Sequence, residues 1–297
     1  MKNRLLSGIV AVILIAAYIC GCGKGAEKSG KTKIVCSNFP TYDFARAVAG
    51  ESAEIKLLIS PGMEIHSYDP TPSDMVALNS SDIFIMIGGE SEEWARKLTA
   101  DSKINSLALI DFVKTLNEDG EEEADEHVWT SPENALVMVD RICDCLCKIN
   151  PQSADEYTEN ADSYKAKISA ADREISAVIS EKSDKSILVA DRFPFKYFAD
   201  YYKLSYTAAL SGCAQSTDVS AKKMIELSRS VSQHNYKAVF CTELSNKTVA
   251  MALSEQTGVD IIELHSAHNV TKEDFDNGIT YVDIMYKNAS ALERGMN

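Results

Sequence analysis

Short apolar runs rich in β-branched residues alternate with helical patterns along most of the chain. Such runs predict strands, and the segments between them, where apolar residues recur three and four positions apart, predict helices. The predicted strands are Lys33–Ser37, Glu54–Ile59, Ile83–Ile87, Ser106–Ile110, Ser186–Ala190, Ala238–Cys241 and Ile261–Leu264. The predicted helices include Tyr42–Ala49, Glu92–Ala100, Ala221–Gln233 and Lys247–Thr257. This alternation indicates an α/β fold with parallel sheets covered by helices on both faces.

One segment, residues 150–183, interrupts the alternation. Asn150 and Pro151 are typical of an N-cap and a first-turn proline, and an apolar stripe at helical spacing follows them. The stripe consists of Ala154, Tyr157, Ala161, Tyr164, Ile168, Ala171, Ile175 and Val178. A coiled-coil dimer is one interpretation, but Ala and Tyr are weak seam residues, so we expect a monomer. One rigid helix of about thirty residues, roughly 45 Å long, is predicted to join two α/β lobes, residues 33–149 and 184–297, and to limit their opening.

The N-terminus has the organisation of an export signal. Lys2 and Arg4 precede an apolar run, Leu5–Ile19, that is too short to span a bilayer comfortably, and "ICGC" ends the segment. This ending resembles the lipobox of bacterial lipoproteins, in which Cys22 becomes the lipidated first residue; an uncleaved membrane anchor is the alternative. Residues 1–22 are therefore predicted to be a lipoprotein signal peptide, and residues 23–32 a flexible tether. We expect a lipid-anchored protein on the extracytoplasmic face of the cell membrane.

The formal net charge is −14. Nucleic acid is therefore not an expected partner, because phosphate binding requires clustered Lys and Arg. An acidic surface suits the attraction of cations, although solubility alone explains it as well.

The chain has eight cysteines, which in an exported protein would ordinarily suggest disulfides. Cys20 is predicted to leave with the signal peptide, and Cys22 to carry the lipid. Cys143, Cys145 and Cys147 lie in an apolar helical pattern and are predicted to be buried thiols. The pairing of Cys36, Cys213 and Cys241 stays open.

Two histidines lie in stiff surroundings. In "PGMEIHSYDP", His66 lies between Pro61–Gly62 and Asp69–Pro70, which break regular helix or strand. In "DEHVWTSPENA", His127 precedes an aromatic residue, Trp129, that can pack beneath it. Holding a metal ligand in place beforehand avoids an ordering cost of about 1–2 kcal/mol per residue. Both positions therefore suit metal ligands.

The order, spacing and content of "TYDFARAVAG", "LLISPGMEIHSYDPTPSDMVALNSSDIFIMIGG" and "DEHVWTSPENA" resemble the zinc- and manganese-binding lipoproteins of ABC importers. The resemblance covers nearly the whole mature chain, through "TELSNKTVAMALSEQTGVDIIEL". In that family each of the two loop motifs supplies one histidine to the metal, which here implies His66 and His127. Together with the predicted fold, the resemblance implies a metal site in the cleft between two lobes and delivery of the metal to an ABC permease.

The second lobe departs from the family pattern. The family's usual third ligand is a histidine at the end of the lobe's first strand, whereas this strand ends in "LVADRFPFKYFADYY". The usual fourth ligand is an aspartate, and His265 in "ELHSAHNVT" aligns with it. The resemblance thus implies that His66, His127 and His265 are ligands. The fourth position is open to His268 or Asp191, and Glu243 is the next candidate after these two.

The second-lobe candidates also have plainer interpretations. Asp191 can instead pair with Arg192 or orient a ligand, and His268 can be an exposed residue without a role. His234, in the polar helix end "SQHNYK", is interpreted as a surface residue. The acidic run 117–126, "NEDGEEEADE", is interpreted as a solvated loop or as a weak collector of cations at the mouth of the cleft.

Three imidazoles with a further histidine or a carboxylate favour zinc over manganese, whose sites carry more oxygen. We therefore expect an extracytoplasmic receptor that captures zinc and delivers it to an ABC permease; a manganese receptor of the same family is the alternative. A zinc hydrolase is disfavoured, because the sequence contains no H-E-x-x-H motif. A surface adhesin with a structural zinc is a second rival, and its partner should stay bound after chelation of the metal.

Overall fold

The first half of the chain is built on a parallel sheet. The computed structural model describes residues 30–63, 68–100, 102–117, 123–212 and 218–297. The elements of this half are β1 (Thr32–Cys36), α1 (Phe39–Ala49), β2 (Ala53–Leu57), α2 (Pro72–Ser80), β3 (Ile83–Met86), α3 (Glu93–Ala100), β4 (Ser106–Ala108) and α4 (Pro132–Ile149). The strand order is β2-β1-β3-β4, and each neighbouring pair is parallel. Ile34 pairs with Ile55 on one side and with Ile83 on the other, so the apolar strand centres align.

A long helix, α5 (Ala154–Ser180), follows and has 27 residues. It begins after a short 3₁₀ turn, Pro151–Ser153, so Pro151 starts that turn and not the α-helix itself. Its apolar stripe faces inward, as the spacing predicts; the buried residues are Tyr157, Ala161, Tyr164, Ile168, Ala171, Ile175 and Ile179. The helix packs against α1 and α4 of the first half.

The second half repeats the parallel arrangement. Its elements are β5 (Ser186–Val189), α6 (Lys196–Tyr202), β6 (Ser205–Ala208), α7 (Ala221–His234), β7 (Ala238–Cys241), α8 (Thr248–Thr257), β8 (Asp260–Glu263), α9 (Lys272–Asp276) and α10 (Tyr281–Gly295). The strand order is β6-β5-β7-β8, again with parallel pairs. The last helix, α10, packs on α5. The predicted α/β class with two parallel sheets and one long connecting helix is confirmed.

Each of the seven predicted strands overlaps an observed one, but β6 was not among them. This strand has four residues, "SYTA", and lies at the edge of its sheet. Ser205 is exposed and the other three residues are only half-buried. A short edge strand of this kind lacks the apolar pattern on which sequence reasoning depends, which explains the omission.

A buried polar cluster joins α1, α5 and α10. The Asp43 carboxylate, which is fully buried, accepts hydrogen bonds from the Tyr164 hydroxyl and from Tyr281 N, the latter at 2.9 Å. Arg46 Nε donates to Asp43 Oδ1 at 2.7 Å, and its guanidinium also donates to the Ile279 carbonyl. We call these residues the Asp43 cluster. It ties the first half of the chain, the long helix and the C-terminal helix together.

The cysteines in the described residues are free thiols. Cys36 and Cys241 are buried and do not pair with each other. Cys143 is buried in α4, whereas Cys145 and Cys147 are only half-buried, because they lie at the border of the apolar face. Cys213 lies outside the described residues.

The N-terminal predictions also lie outside the described residues. Met1–Lys31 is a unit separate from Thr32–Asn297, and only its last two residues are described. The signal peptide and Cys22 therefore remain sequence-based predictions. Within the described part of the chain, no helix is both long and apolar enough to cross a membrane.

Candidate metal centre

His127 lies on the connection between β4 and α4 and is 1% exposed. It directly precedes a 3₁₀ turn, Val128–Thr130. Asp125 Oδ1 accepts a hydrogen bond from His127 N at 2.8 Å and lies 3.1 Å from His127 Nδ1. A neutral imidazole that donates through Nδ1 keeps the lone pair of Nε2 for a metal. Asp125 therefore orients His127 as a ligand would be oriented.

Hydrogen bonds from the second half hold this segment in place. Tyr197 of α6 donates from its hydroxyl to the Asp125 carbonyl at 2.6 Å. Trp129 Nε1 donates to the Ser266 carbonyl at 2.8 Å, and the Tyr281 hydroxyl donates to the Trp129 carbonyl at 2.6 Å. The loop that carries His127 is thus fixed by both halves of the chain.

The turn 265–268 is organised by Glu243, which follows β7. The Glu243 carboxylate accepts hydrogen bonds from Ser266 N at 2.7 Å, from the Ser266 hydroxyl and from His268 N at 3.1 Å. Buried Ala267 has φ of 60°, a left-handed conformation that is uncommon for alanine and reverses the chain. As a result the His268 ring lies 5.0 Å from the His127 ring, centroid to centroid, in an edge-to-face arrangement.

Glu126 lies beside these two histidines and is 2% exposed. Its Oε2 accepts hydrogen bonds from Ser91 N at 2.9 Å and from the Ser91 hydroxyl at 2.8 Å. Gly89 permits this packing, because a Cβ at that position would lie 2.2 Å from Glu126 Cβ. The glycine after β3 therefore makes room for a carboxylate at the centre.

Glu126, His127 and His268 are the one group of three potential metal ligands found in the described residues. One ligand atom from each lies within 4.8 Å of the others. Ligand atoms in a tetrahedral zinc site with bonds of about 2.0 Å lie about 3.3 Å apart. A shift of roughly 1 Å in each loop would therefore bring two imidazole nitrogens and one carboxylate oxygen to a zinc ion.

His265 is placed differently. Its Nδ1 accepts a hydrogen bond from Ala267 N at 2.9 Å, so in a neutral ring the proton lies on Nε2 and neither nitrogen offers a lone pair to a metal. Asn288 pairs with its backbone through two hydrogen bonds of 2.8 Å each. The ring is 6% exposed and lies among α5, α6 and α10 residues, away from His127. This geometry favours a structural role for His265.

Asp191 lies next to the group without belonging to it. It follows β5, and its two oxygens accept hydrogen bonds from the Thr242 hydroxyl at 2.9 Å and from Arg192 N at 2.8 Å. With His127 and His268 it lines a cavity of about 700 Å³. Its place is therefore in the wall of the cleft.

His66 lies outside the described residues, but both flanks of its loop are described. On one side, Gly62 N donates to the Val270 carbonyl at 2.9 Å, and Asn269 Nδ2 donates to the Met63 carbonyl at 2.9 Å. On the other side, the Tyr68 hydroxyl donates to Asp74 Oδ2 at 3.0 Å. The first flank thus lies against the residues that follow His268.

His234 lies on the surface of α7. Its side chain is 45% exposed, and its Nδ1 lies 3.3 Å from a carboxylate oxygen of Asp184. It is not part of the group around His127.

Glu92 adds a second buried carboxyl next to the centre. It is 1% exposed, and it accepts hydrogen bonds from Asn38 Nδ2 at 3.2 Å and from Gly88 N at 2.6 Å. Burial, the largest cause, raises the pKa of Glu92 from 4.5 to about 7; hydrogen bonds from Ser37 and Gly88 N lower this pKa, and the charge of Glu126 raises it. The folded protein therefore holds a proton on Glu92 that the unfolded chain has already lost.

The free energy of unfolding of the metal-free protein should fall as pH rises from 4.5 to about 7, because only the folded state keeps the Glu92 proton in this window. The loss should be about 3 kcal/mol. Glu92→Gln should remove this part of the pH dependence, as urea denaturation at several pH values would show. Glu93→Gln, next to it on the exposed surface, is the matched control and should follow the wild type. Parallel profiles for the wild type and Glu92→Gln would contradict the assignment.

Sequence reasoning missed Glu126 as a candidate ligand. It is the last residue of the acidic run 117–126, which the sequence predicts to be a solvated loop or a weak collector of cations. Its burial depends on Gly89 and Ser91, which are distant in the sequence. The available signal was its position between Asp125 and His127, in a motif that the sequence predicts to contain a metal ligand.

The chain matches a protein family over residues 34–295; the family is described as "ZnuA: Zinc-uptake complex component A periplasmic". The zinc-binding lipoprotein AdcA of Streptococcus pneumoniae is 30% identical over 98% of this chain and 60% of its own length. The chain thus spans about 60% of that relative. The high-affinity zinc uptake system protein ZnuA of Bacillus subtilis is 26% identical over 97% of this chain and 96% of its own length.

Among solved structures, the Zn(II)-bound ZnuA-like domain of Streptococcus pneumoniae AdcA superposes with a TM-score of 0.78 at 29% identity. The match covers 90% of this chain and 99% of that domain. The likeness therefore extends over both sheets and the long helix.

Proposed function

We propose, since this chain belongs to the zinc-uptake complex component A family, that it captures zinc outside the cytoplasm and passes it to an ABC permease. This is a family of metal-binding proteins and not of enzymes. Relatives over nearly its whole length are named as zinc-binding or zinc-uptake proteins. Zinc is the cargo of such a protein: it is bound and released without chemical change.

The observation that carries the proposal is the approach of His127 and His268 from opposite halves of the chain. Their ring centroids lie 5.0 Å apart, and each loop is held by hydrogen bonds before any ion binds. Two imidazoles and the buried Glu126 carboxylate provide N and O donors of the kind that zinc prefers. A preformed set of donors avoids most of the ordering cost of binding.

We assign the ligands as His127, His268 and Glu126, with His66 as the fourth on the strength of its motif. His265 and Glu243 then support the turn that presents His268, and Asp191 lines the cleft. This assignment exchanges the roles that the family alignment implies for His265 and His268. It takes ligands from two loops of the first lobe and from one loop of the second, and it closes the zinc site with four protein donors.

The lipid anchor at Cys22 and the permease belong to the same proposal. A receptor tethered by residues 23–32 would stay near its permease while its cleft samples the outer medium. We expect it to act as a monomer, with one zinc for each chain. Adhesion to a surface partner stays an additional hypothesis.

Zinc should raise the melting temperature of the metal-free protein. At one hundred times its dissociation constant, a ligand that binds only the folded state adds about 2.7 kcal/mol. For a domain of this size the shift should be roughly 5–10 °C. Differential scanning calorimetry with zinc, manganese and magnesium measures it, and elemental analysis gives the stoichiometry.

Magnesium should leave the transition unchanged, because it prefers oxygen ligands and keeps its water. Equal shifts by zinc and magnesium would mean that acidic residues, and not the histidines, bind the ion. A larger shift by manganese than by zinc in direct competition would favour the manganese alternative. A surface partner that stays bound after chelation would support the adhesin.

A further inference from the structure

Two thiols lie side by side near the junction of the helices α4 and α5. Cys143 and Cys147 are four residues apart on α4, so their side chains are neighbours on the same face of the helix. Their Sγ atoms are 3.9 Å apart. Cys147 Sγ also lies 3.7 Å from the carbonyl oxygen of Ala154, the first residue of α5. The structure thus presents two sulfur atoms together, with an oxygen atom beside them.

The spacing of these two residues does not suit a disulfide. The Cβ atoms of residues four apart on a helix are about 5–6 Å apart, whereas a disulfide requires about 3.5–4.5 Å. A bond between Cys143 and Cys147 would therefore distort the last turns of α4. Both residues are free thiols in the structure.

The same spacing suits a metal ion. Two thiolates bound at about 2.3 Å to a tetrahedral ion lie about 3.8 Å apart, which is close to the 3.9 Å between the two Sγ atoms. Cys143 is 8% exposed, but Cys147 is only half-buried, so an ion can reach the pair from the surface. The two sulfur atoms therefore fit one ion with little movement of the helix.

The protons on the thiols restrict which ions bind. Burial is the largest of the causes that raise the pKa of the Cys143 thiol from 9.0 to about 11; Cys147 also raises this pKa, and a hydrogen bond with Thr158 lowers it. At neutral pH an ion must therefore displace a proton from this thiol, which favours soft cations that bind sulfur strongly. Structural zinc sites have four protein ligands, so a pair of thiols should hold zinc only weakly.

We propose that Cys143 and Cys147 form a second metal site, which takes one soft, closed-shell cation through two thiolates. Each thiol gives its proton to water, each sulfur forms one bond to the ion, and water molecules leave the ion. No oxidation state changes, and the remaining water completes the coordination on the exposed side of Cys147. Neither cysteine lines the cavity beside His127 and His268. An ion at this site therefore binds outside the cleft, and the inference does not depend on the proposed function.

Titration of the reduced mature chain with Cd²⁺ tests this site. The wild type should develop the ultraviolet charge-transfer absorption of cadmium thiolate and should release about two protons for each ion bound there. Imidazole and carboxylate ligands give no such absorption, so Cd²⁺ in the cleft does not contribute to it. Cys147→Ser should lower the affinity measured by this absorption at least about 100-fold, because loss of the partners that merely orient a ligand already costs about 10–100-fold. Cys143→Ser should have the same effect.

Cys145→Ser is the matched control, because Cys145 is also half-buried on α4, but residues two apart on a helix do not face each other. It should keep the absorption and the Cd²⁺ affinity of the wild type. His127→Ala should keep both as well, which separates this site from the zinc centre. Cys147→Ser changes only a half-buried position and serves as the test if Cys143→Ser does not fold.

Three results would overturn the proposal. The first is a reduced wild type that shows no thiolate absorption with Cd²⁺, and the second is an unchanged affinity in Cys147→Ser. The third is rapid formation of a Cys143–Cys147 disulfide in air, detected by mass spectrometry of peptides. That result would contradict the geometric argument and assign the pair to redox chemistry.

Discussion

Replacing His268 by alanine should lower the zinc affinity at least about 100-fold, because loss of the partners that merely orient a ligand already costs about 10–100-fold. His268 and His127 approach each other from the two halves of the chain, and they are the two imidazoles of the proposed ligand set that lie in the described residues. His127→Ala should therefore have an effect of the same size. His265→Ala should cost about tenfold, the lower end of that range, since it acts only through the turn that presents His268.

Competition with a chromophoric zinc chelator measures these affinities. His234→Ala is the control, because it removes an exposed histidine far from the group. Circular dichroism establishes that each variant is folded. Loss of zinc by His265→Ala together with normal binding by His268→Ala would restore the ligand set implied by the family alignment.

Zinc affinity should fall at least about 100-fold between pH 7.5 and pH 5.5, because imidazoles titrate near pH 6.5 and only the neutral ring coordinates. The sign follows from competition between protons and zinc for the same lone pairs. The zinc affinity is highest at a pH above the titration range of the imidazoles, and it falls as the pH falls through that range. Each imidazole ligand contributes about tenfold at one pH unit below its pKa, so two or more ligands multiply the loss.

Isothermal titration calorimetry in buffers with different protonation enthalpies counts the protons released when zinc binds. His268→Ala should release fewer protons than the wild type and should show a shallower pH dependence. The zinc-free protein must stay folded over the same range, which circular dichroism shows. An affinity that does not change with pH would point to a site made of carboxylates alone.

The fold was predictable because its cause is local. Strands of four or five apolar residues and helices with a three-and-four spacing follow from the pattern of side chains. The long helix α5 follows from one stripe between Tyr157 and Ile175. The edge strand β6 has no such pattern, since its residues are stabilised by pairing with β5 and not by burial.

The candidate site was predictable only in part. The stiff loop around His66 and the motif around His127 mark both residues in the sequence. Which of His265 and His268 faces the cleft depends on the left-handed conformation of Ala267. That conformation is imposed by Glu243, a residue on another strand end, and no local rule predicts it for an alanine.

The Asp43 cluster has a consequence for the thermodynamics of capture. Since its hydrogen bonds already join α1, α5 and α10, we expect the two lobes to bury little further apolar surface when the metal binds. A large change in heat capacity is the signature of apolar burial on binding. Zinc capture by this protein should therefore show an enthalpy that hardly varies with temperature. We expect the protein to recognise its cargo through small movements of loops. Its zinc affinity should therefore depend little on how the two lobes pack against each other.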